Sequence, residues 1–191
     1  LRVHRRGYQS EEAIRSEMWW LGALADRHLP VPRPVQTADG TEVVHLADRR
    51  IATLLAWVEG RPLGEGGVPL AGSAEGQMRA HASVGHALAE LHVATDRLRL
   101  PQTFQRPRWD IDGLVGPNPF WGRFWEHPEA SAGERKLLAG ARDEARVRLA
   151  DFAAHGADQG LIHADVLREN VLLTDHRAAL IDFDDCGFGF R

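Results

Sequence analysis

The chain has 191 residues, of which 43% are hydrophobic and 26% are charged, so it can bury the core of one domain or of two small lobes. Its net charge of -4 provides no basic surface of the kind that binds nucleic acid or an anionic membrane. The single cysteine, Cys186, excludes an internal disulfide and leaves too few thiolates for a structural zinc site. No apolar segment approaches the roughly 20 residues of a membrane helix. We therefore expect a cytoplasmic protein without nucleic-acid or membrane partners.

The N-terminal part of the sequence predicts a strand, a helix and two further strands. Residues 1–4 alternate between apolar and polar side chains, as at the end of a strand. Ser10 is a helix N-cap, and the helix runs to about residue 28, where three closely spaced prolines follow. The segments "TEVVHLA" and "RIATLLAWVE" predict the next two strands.

One residue of the first predicted helix interrupts its apolar face. The apolar stripe consists of Ile14, Met18, Leu21, Leu24 and Ala25. Glu17 falls inside this stripe, and a buried carboxylate is costly unless a cation meets it. Arg2 on the preceding strand is the candidate cation. The alternative is a helix-edge residue whose carboxylate reaches water.

The middle of the chain alternates between flexible and helical patterns. Residues 60–76 hold six glycines and predict a linker followed by a mobile loop. A long helix is predicted over about residues 74–95, with one face formed by Met78, Ala82, Leu88, Ala89 and His92. Residues 101–128 are rich in proline and aromatic side chains, which either close a small core or form a pocket for a cationic acceptor. Another helix is predicted over about residues 132–154.

The C-terminal part carries the residues with the clearest chemistry. A strand in "GLIHAD" leads into a polar loop, and "NVLLT", a turn at residues 175–177 and "AALIDF" predict a hairpin. The loop reads His163-x-Asp165-x-x-x-x-Asn170, and Asp182 follows the hairpin. This order fits the plan of phosphoryl-transfer enzymes. A His-Asp-Asn set that only caps a loop is the structural alternative.

Each of these residue types suits a step of phosphoryl transfer. Asp165 can orient an attacking hydroxyl and accept its proton. Asn170 and Asp182 offer the oxygen ligands that Mg²⁺ prefers. The ion pair with Glu17 can hold the positively charged guanidinium of Arg2 over the phosphates of ATP.

Asp184 is a further candidate metal ligand. It lies two residues after Asp182 and therefore on the same face if the strand continues. A solvated acidic turn is the alternative interpretation.

Several segments together resemble the aminoglycoside phosphotransferase/choline kinase superfamily, whose fold is related to that of protein kinases. They are "LRVHR", "SEEAIRSEMWWLGAL", "VPRPV", "WVEGRPL", "LIHADVLRENVLL" and "LIDFDDCGFGFR". The resemblance covers nearly the whole chain and is nearest to the bacterial homoserine-kinase-type and stress-response-kinase branch.

The resemblance implies a two-lobed, protein-kinase-like α+β fold that is truncated at both ends. It implies a remnant nucleotide-binding lobe at residues 1–59 and a remnant catalytic lobe at residues 60–191. Asp165 matches the catalytic aspartate, and Asn170 and Asp182 match the Mg²⁺ ligands. Arg2 stands where many relatives have a phosphate-binding lysine, and Glu17 matches the helix partner of that lysine. The backbone at Ala56 and Val58 matches the hinge that binds adenine.

The expected function is Mg²⁺-dependent transfer of the ATP γ-phosphate to a hydroxyl, of a small molecule rather than of a protein. Three positions depart from the family pattern: Arg2 replaces lysine, Ala164 replaces glycine, and Arg168 replaces a frequent proline. They motivate the alternative of a nucleotide-binding pseudokinase without turnover. A Ser/Thr protein kinase is the other alternative. Homoserine, choline-like alcohols, an antibiotic and a protein hydroxyl all stay open as acceptors, and the oligomeric state is not determined.

Overall fold

The computed structural model describes residues 1–174 and 177–191. The helices of these residues are α1 (Glu11–Ala25), α2 (Ala74–Asp96), α3 (Ile111–Val115) and α4 (Ala132–Ala154), with short 3-10 helices at Phe124–Glu126 and Arg168–Asn170. The strands are β1 (Arg2–Val3), β2 (Val44–His45), β3 (Ile51–Thr53), β4 (Arg61–Pro62), β5 (Arg108–Trp109), β6 (Gln159–Ile162), β7 (Val171–Leu173), β8 (Ala178–Leu180) and β9 (Gly187–Phe190). They form three sheets with the orders β1-β3-β2, β4-β7-β8 and β5-β9-β6.

The chain divides into two compact units. The first contains residues 1–106 and 163–186, and the second contains residues 107–162 and 187–191. The predicted boundary between lobes 1–59 and 60–191 lies inside the first unit, and the division into these lobes stays a prediction.

The first sheet confirms the three strands predicted near the N-terminus, although each is shorter than its apolar run. The central strand β3 pairs antiparallel with both neighbours, so that Thr53 lies opposite Arg2 and Ala52 lies opposite Val44. The buried His4 ring joins β1 to β3 through a hydrogen bond of 3.1 Å between Nε2 and Thr53 Oγ1. These contacts fix the position of the backbone at Arg2.

Helix α1 begins where the sequence predicts. The Ser10 hydroxyl accepts the Ala13 N–H at 3.1 Å, which satisfies one of the free donors of the first turn. All five residues of the predicted apolar stripe are buried, and so is Glu17. The helix ends at Ala25, before the predicted limit, and His28 then adopts the left-handed region with φ 61°.

Trp20 connects α1 with the rest of the core of the first unit. Its ring meets Phe183 edge to face with 5.4 Å between the centroids. Its Nε1 donates to Thr95 Oγ1 of α2 at 3.1 Å, so the polar atom of a fully buried indole is satisfied. The helix is therefore anchored both to α2 and to the segment that follows β8.

The predicted extent of α2 is confirmed, but the predicted buried face is wrong. Met78 is 67% exposed, whereas the buried residues are Ala87, Leu91, Ala94 and Thr95. These residues repeat every three or four positions in the C-terminal half of the helix. The buried residues of the helix all lie in that half, and the sequence pattern does not reveal which half is buried.

The β7–β8 hairpin brings the predicted metal ligands to one end of a sheet. Val171 lies opposite Leu180, and the Ile181 N–H donates to the Asn170 carbonyl oxygen at 2.9 Å. Asn170 therefore precedes the first strand at the same end where Asp182 follows the second. The predicted turn at 175–177 lies mostly outside the described residues.

The glycine-rich segment that we expected to be a mobile loop is attached to the polar loop. Strand β4 pairs with β7, with Arg61 opposite Leu173. Farther along, Arg168 Nη1 donates to the Val68 carbonyl oxygen at 2.8 Å, and the Gly66 N–H donates to Glu169 Oε1. Arg168, one of the departures from the family pattern, thus holds the loop at residues 64–70.

The second unit contains α3, α4 and a sheet that the sequence did not fully reveal. Strand β9 was not predicted because its sequence "GFGF" alternates with glycine, a residue depleted in strands. A Cβ at Gly187 would lie 2.4 Å from the Pro107 carbonyl oxygen, so the close approach of the neighbouring strand requires glycine there. The predicted helix at 132–154 is confirmed, and it begins with a capping box between Ser131 and Glu134.

Two tryptophans of the aromatic stretch pack inside the second unit. Trp109 is buried and contacts Phe120 and Trp121 at centroid distances of 5.0 and 5.8 Å. Trp125 is also buried, and the Arg142 guanidinium lies 4.6 Å from the centre of its ring. These contacts favour the packing interpretation for Trp109 and Trp125. Within the described ranges, no helix has the length and hydropathy of a membrane span.

We predict that acid weakens the first unit through His4. Burial, and then the charges of Arg2 and Arg106, lower the pKa of His4 from 6.5 to about 4. The unfolded chain therefore binds a proton at His4 more readily than the folded chain does. The contribution of the neutral ring to the free energy of unfolding is fully present above pH 6.5 and is lost as the pH falls towards 4.

Urea denaturation of the wild type and of His4→Gln, at about pH 7 and about pH 5, measures this effect. The wild type should lose about 1–2 kcal/mol more of its free energy of unfolding than the variant does. Equal losses in the two proteins would contradict the prediction.

Candidate active site

His163 fixes the start of the polar loop. Its Nε2 lies 2.9 Å from the Ile181 carbonyl oxygen, and its Nδ1 accepts the Asp165 N–H at 3.2 Å. Burial lowers the pKa of this histidine, so the ring is neutral at pH 7 and its hydrogen bonds assign the proton to Nε2. The ring also packs against Phe183 with 4.4 Å between centroids. His163 thereby holds the backbone of Asp165 next to the end of β8.

Asp165 and Asn170 are held together by their side chains. Asn170 Nδ2 donates to the Asp165 carbonyl oxygen at 3.0 Å and to Asp165 Oδ2 at 2.8 Å. Burial, and then the charges of Asp185 and Asp182, raise the pKa of the Asp165 carboxyl, while the hydrogen bond from Asn170 opposes this. A raised pKa makes this carboxylate a better proton acceptor.

The candidate metal ligands present oxygen atoms that suit a hard cation. Because the Asn170 amide nitrogen is used by Asp165, its Oδ1 is the atom left for a ligand. Asp182 is half-exposed, and Asp184 Oδ1 is buried and has no hydrogen-bond partner among the described residues. No group of three histidine, cysteine or acidic residues set for a metal occurs in the described part of the chain. The candidate set is instead one amide and two carboxylates, which fits Mg²⁺.

The predicted ion pair between Arg2 and Glu17 is confirmed. Arg2 Nη1 lies 3.1 Å from Glu17 Oε1. The other terminal nitrogen, Nη2, lies 3.2 Å from Asp182 Oδ1 and 2.6 Å from Asp184 Oδ2. One guanidinium thus joins the buried carboxylate of α1 to both acidic residues that follow β8.

A second arginine, which sequence reasoning missed, also faces Glu17. Arg106 Nη1 lies 3.8 Å from Glu17 Oε2, and both side chains are completely buried. Burial raises the pKa of Glu17 to about 7, whereas the charges of Arg2 and Arg106 lower it. Nothing in the sequence signals this role, because Arg106 lies in an irregular proline-rich stretch, far along the chain from its partners.

A cavity of about 470 Å³ extends from the predicted hinge to the acidic residues. Its lining includes Ala56 and Val58 at one part and Arg2 and Asp182 at another. The Ala56 N–H donates to the Arg33 carbonyl oxygen at 2.8 Å, so the carbonyl group of Ala56 is what remains for a ligand. The volume is within the range of small-molecule sites.

Glu169 is a residue of this cavity that sequence reasoning missed. It lines the cavity, and its carboxylate accepts the Gly66 N–H. The available signal was its position directly before Asn170. Because it lines the cavity and binds Gly66, Glu169 connects the cavity wall with the glycine-rich loop.

Two residues of the site adopt a backbone conformation that usually requires glycine. Ala164 has φ 67° and Asp182 has φ 61°. For a residue with a Cβ this region costs roughly 1–2 kcal/mol, and aspartate tolerates it better than most. A glycine would adopt this conformation at Ala164 without that cost. Both strained positions lie next to functional groups, where such strain is often found.

Comparison with known proteins gives several homoserine kinases among the relatives. The chain is 36% identical to a homoserine kinase of Rhizobium johnstonii over 165 residues, which cover 84% of this chain and 44% of the relative. It is 32% identical to a homoserine kinase of Sinorhizobium medicae over 165 residues, with coverages of 84% and 43%. The chain therefore spans less than half the length of these relatives.

Solved structures of kinases resemble the chain over nearly its whole length. A microcompartment-associated aminopropanol kinase matches with a TM-score of 0.77 and 32% identity, covering 99% of this chain and 58% of that one. The amicoumacin kinase hAmiN, solved with AMP-PNP, Ca²⁺ and Ami, has a TM-score of 0.71 at 20% identity and shares the fold, over 98% of this chain and 52% of its own. These likenesses confirm the expected kinase-like α+β fold.

A family model described as "Phosphotransferase enzyme family" matches residues 1–191. The homoserine kinases found among the relatives agree with the branch that the sequence motifs resemble. The chain belongs to this phosphotransferase enzyme family.

Proposed function

We propose that the protein containing this chain transfers the γ-phosphoryl group of ATP to the hydroxyl of a small molecule, with Mg²⁺ as cofactor. The observation that supports this most strongly is the joint position of Asp165, Asn170 and Asp182. A proton acceptor and oxygen ligands meet at the end of one hairpin, and the cavity that Asp182 lines reaches the predicted hinge. These are the parts that phosphoryl transfer requires.

Asp165 is the residue that receives the acceptor hydroxyl. Its Oδ2 is held by Asn170, so Oδ1 is available to accept a hydrogen bond from the hydroxyl. The raised pKa of its carboxyl favours acceptance of the proton as the oxygen–phosphorus bond forms. His163 keeps the loop in place because its ring binds both the Asp165 N–H and the Ile181 carbonyl oxygen.

Arg2 and the hinge position the nucleotide. The guanidinium of Arg2 is a planar donor that suits phosphate oxygens, and Glu17 fixes one of its terminal nitrogens. The backbone at Ala56 and Val58 borders the cavity at a place where an adenine ring can form hydrogen bonds. Together they set the direction in which the terminal phosphate points towards Asp165.

The residues that would hold Mg²⁺ are Asn170 and Asp182, with Asp184 as a third oxygen donor. The ion, when bound, neutralises phosphate charge that would otherwise repel the acceptor. Arg2 compensates the charges of Asp182 and Asp184. The carboxylates of Asp182 and Asp184 therefore favour a positively charged group at this position.

For the acceptor we propose a small amino alcohol. The names of the relatives, homoserine kinase and aminopropanol kinase, both refer to short molecules with an amine and a hydroxyl. The charges of Asp185 and Asp182, which both act on the Asp165 carboxyl, support this class. Opposite charge would attract a protonated amine towards the reacting hydroxyl.

The pseudokinase alternative has less support than the enzyme. Its motivation was Arg2, Ala164 and Arg168, but Arg2 pairs with Glu17, and Ala164 keeps a left-handed backbone. Arg2 therefore forms the ion pair that the resemblance implies, and Ala164 has a backbone conformation that glycine adopts readily.

ADP release by the full natural protein tests the proposal. With Mg²⁺ and ATP, we expect turnover with short amino alcohols and much less with matched diols or a generic protein substrate. Binding of ATP without turnover over the whole panel would favour the pseudokinase. Turnover only on protein would favour the Ser/Thr kinase.

Asp165→Asn should lower kcat by roughly 10²–10⁴-fold, because the amide cannot accept the proton. The KM for ATP should change by less than about threefold, since Asp165 does not bind the nucleotide. Asp26→Asn is the matched control in the same unit, because Asp26 is exposed and pairs only with Arg33 among the ion pairs described. Steady-state ADP release measures both constants, and wild-type turnover by Asp165→Asn would rule out the proposed proton acceptor.

Asp182→Asn should raise the Mg²⁺ concentration for half-maximal nucleotide binding about 10-fold or more, because a charged ligand is lost. Asparagine tolerates the left-handed backbone of this position, so the variant should keep its fold. Calorimetric titration of ATP at several Mg²⁺ concentrations measures the change. An unaltered Mg²⁺ dependence would exclude Asp182 as a ligand.

A further inference from the structure

The first unit buries an arginine that neither the sequence motifs nor the proposed mechanism uses. Arg106 lies in the irregular segment after α2, and its side chain is completely buried. A guanidinium cannot lose its proton at physiological pH, so burial has to be offset by charge and by hydrogen bonds. The partners of this group therefore indicate what the fold uses it for.

On one side, Arg106 contacts helix α1. Its Nη1 donates to the Ala13 carbonyl oxygen at 3.1 Å and lies 3.8 Å from Glu17 Oε2. That carboxylate oxygen is buried and has no hydrogen-bond partner within the described residues. Arg106 therefore compensates the charge of the oxygen of Glu17 that Arg2 does not bind.

On the other side, Arg106 contacts the segment that carries the acidic residues. Its Nε donates to the Cys186 carbonyl oxygen at 2.6 Å, and Nη2 donates to the carbonyl oxygen of Asp184. Both acceptors belong to the turn that directly follows Asp182. One rigid, planar group thus joins the start of α1 to this turn.

Arg2 and Arg106 close a ring of four residues with Glu17 and Asp184. Arg2 binds one oxygen of Glu17 and the carboxylate of Asp184. Arg106 faces the other oxygen of Glu17 and binds the backbone of Asp184. A movement of α1 away from the turn would break contacts of both arginines at once and leave buried charges unpaired.

We propose that Arg106 is a positioning residue, which holds α1 and the Asp182–Asp184 turn in the arrangement that presents Arg2 to the nucleotide phosphates. Arg106 does not line the cavity of about 470 Å³. Its effect on that cavity therefore passes through Glu17 and through the turn. The inference rests on the proposed function for its kinetic consequence, while the structural coupling is testable without turnover.

The kinetic test compares Arg106→Met, which keeps the length but loses every polar contact, with Arg106→Lys, which keeps the charge. We expect Arg106→Met to raise the KM for ATP about 10-fold or more with a smaller change in kcat, because phosphate positioning is lost. Arg106→Lys should recover at least half of this effect on a logarithmic scale. Glu17→Gln combined with Arg106→Met should lie within about threefold of the worse single variant, since residues that act as a unit are not additive.

Thr95→Val is the matched control for a loss of stability alone. It removes the buried hydrogen bond from Trp20 to α2, in the same unit, and the hydrogen bonds described for Thr95 join it to none of the four residues of the ring. We expect this variant to unfold at lower urea concentration and to keep the wild-type KM for ATP. If Thr95→Val and Arg106→Met change KM alike, or if the effects of Arg106→Met and Glu17→Gln multiply, Arg106 is only a structural residue. Should Arg106→Met not fold, Arg106→Lys takes its place in the same cycle with Glu17→Gln.

Hydrogen exchange separates this inference from the proposed function. In Arg106→Met, the amides of residues 13–17 and 184–186 should lose protection together, and in Thr95→Val they should not. If the wild type releases no ADP with any acceptor but the two segments respond together, the proposed function fails and the coupling stands. If the two segments respond separately or not at all, the positioning role is overturned whatever the activity.

Discussion

The buried carboxylate of Glu17 is the constraint around which the candidate site is organised. A charge removed from water has to be compensated, and here it is met by two guanidinium groups, from Arg2 and from Arg106. Each arginine also binds the turn after β8. The contacts that compensate one buried carboxylate thus fix the relative positions of β1, α1 and the turn that carries Asp182 and Asp184.

The polar loop at residues 163–170 is stabilised by an independent set of contacts that leads to the same turn. His163 binds Ile181 on one side and Asp165 on the other, and its ring packs on Phe183. Phe183 in turn contacts Trp20 of α1. A buried aromatic row therefore supports the polar groups from beneath. Apolar packing thus supplies the rigidity on which the chemistry proposed for the carboxylates depends.

Replacement of family residues need not remove a function when the geometry survives. Arginine is not equivalent to lysine, because its fork contacts three carboxylates at once. Ala164 keeps a left-handed backbone at an energetic cost. Arg168 gains a new role, since it holds the loop at residues 64–70 through Val68.

Local sequence patterns were sufficient for the elements and motifs that depend on neighbours along the chain. Ser10 predicted the start of α1, the spacing of the polar loop predicted that Asn170 and Asp182 meet at one end of a hairpin, and Glu17 was recognised because it breaks an apolar face. Capping, periodicity and turn chemistry are local, so the sequence alone contains them.

What only the tertiary structure decided depends on contacts between distant segments. The prediction that Met78 lies on the buried face of α2 was wrong, because periodicity does not show which half of a helix is buried. Strand β9 was missed because its glycines are explained only by the close approach of the neighbouring strand at Pro107. Arg106 was missed for the same reason, since its partners at Ala13, Glu17 and Cys186 are about 80–90 positions away in sequence and a pairing energy of this kind exists only after folding.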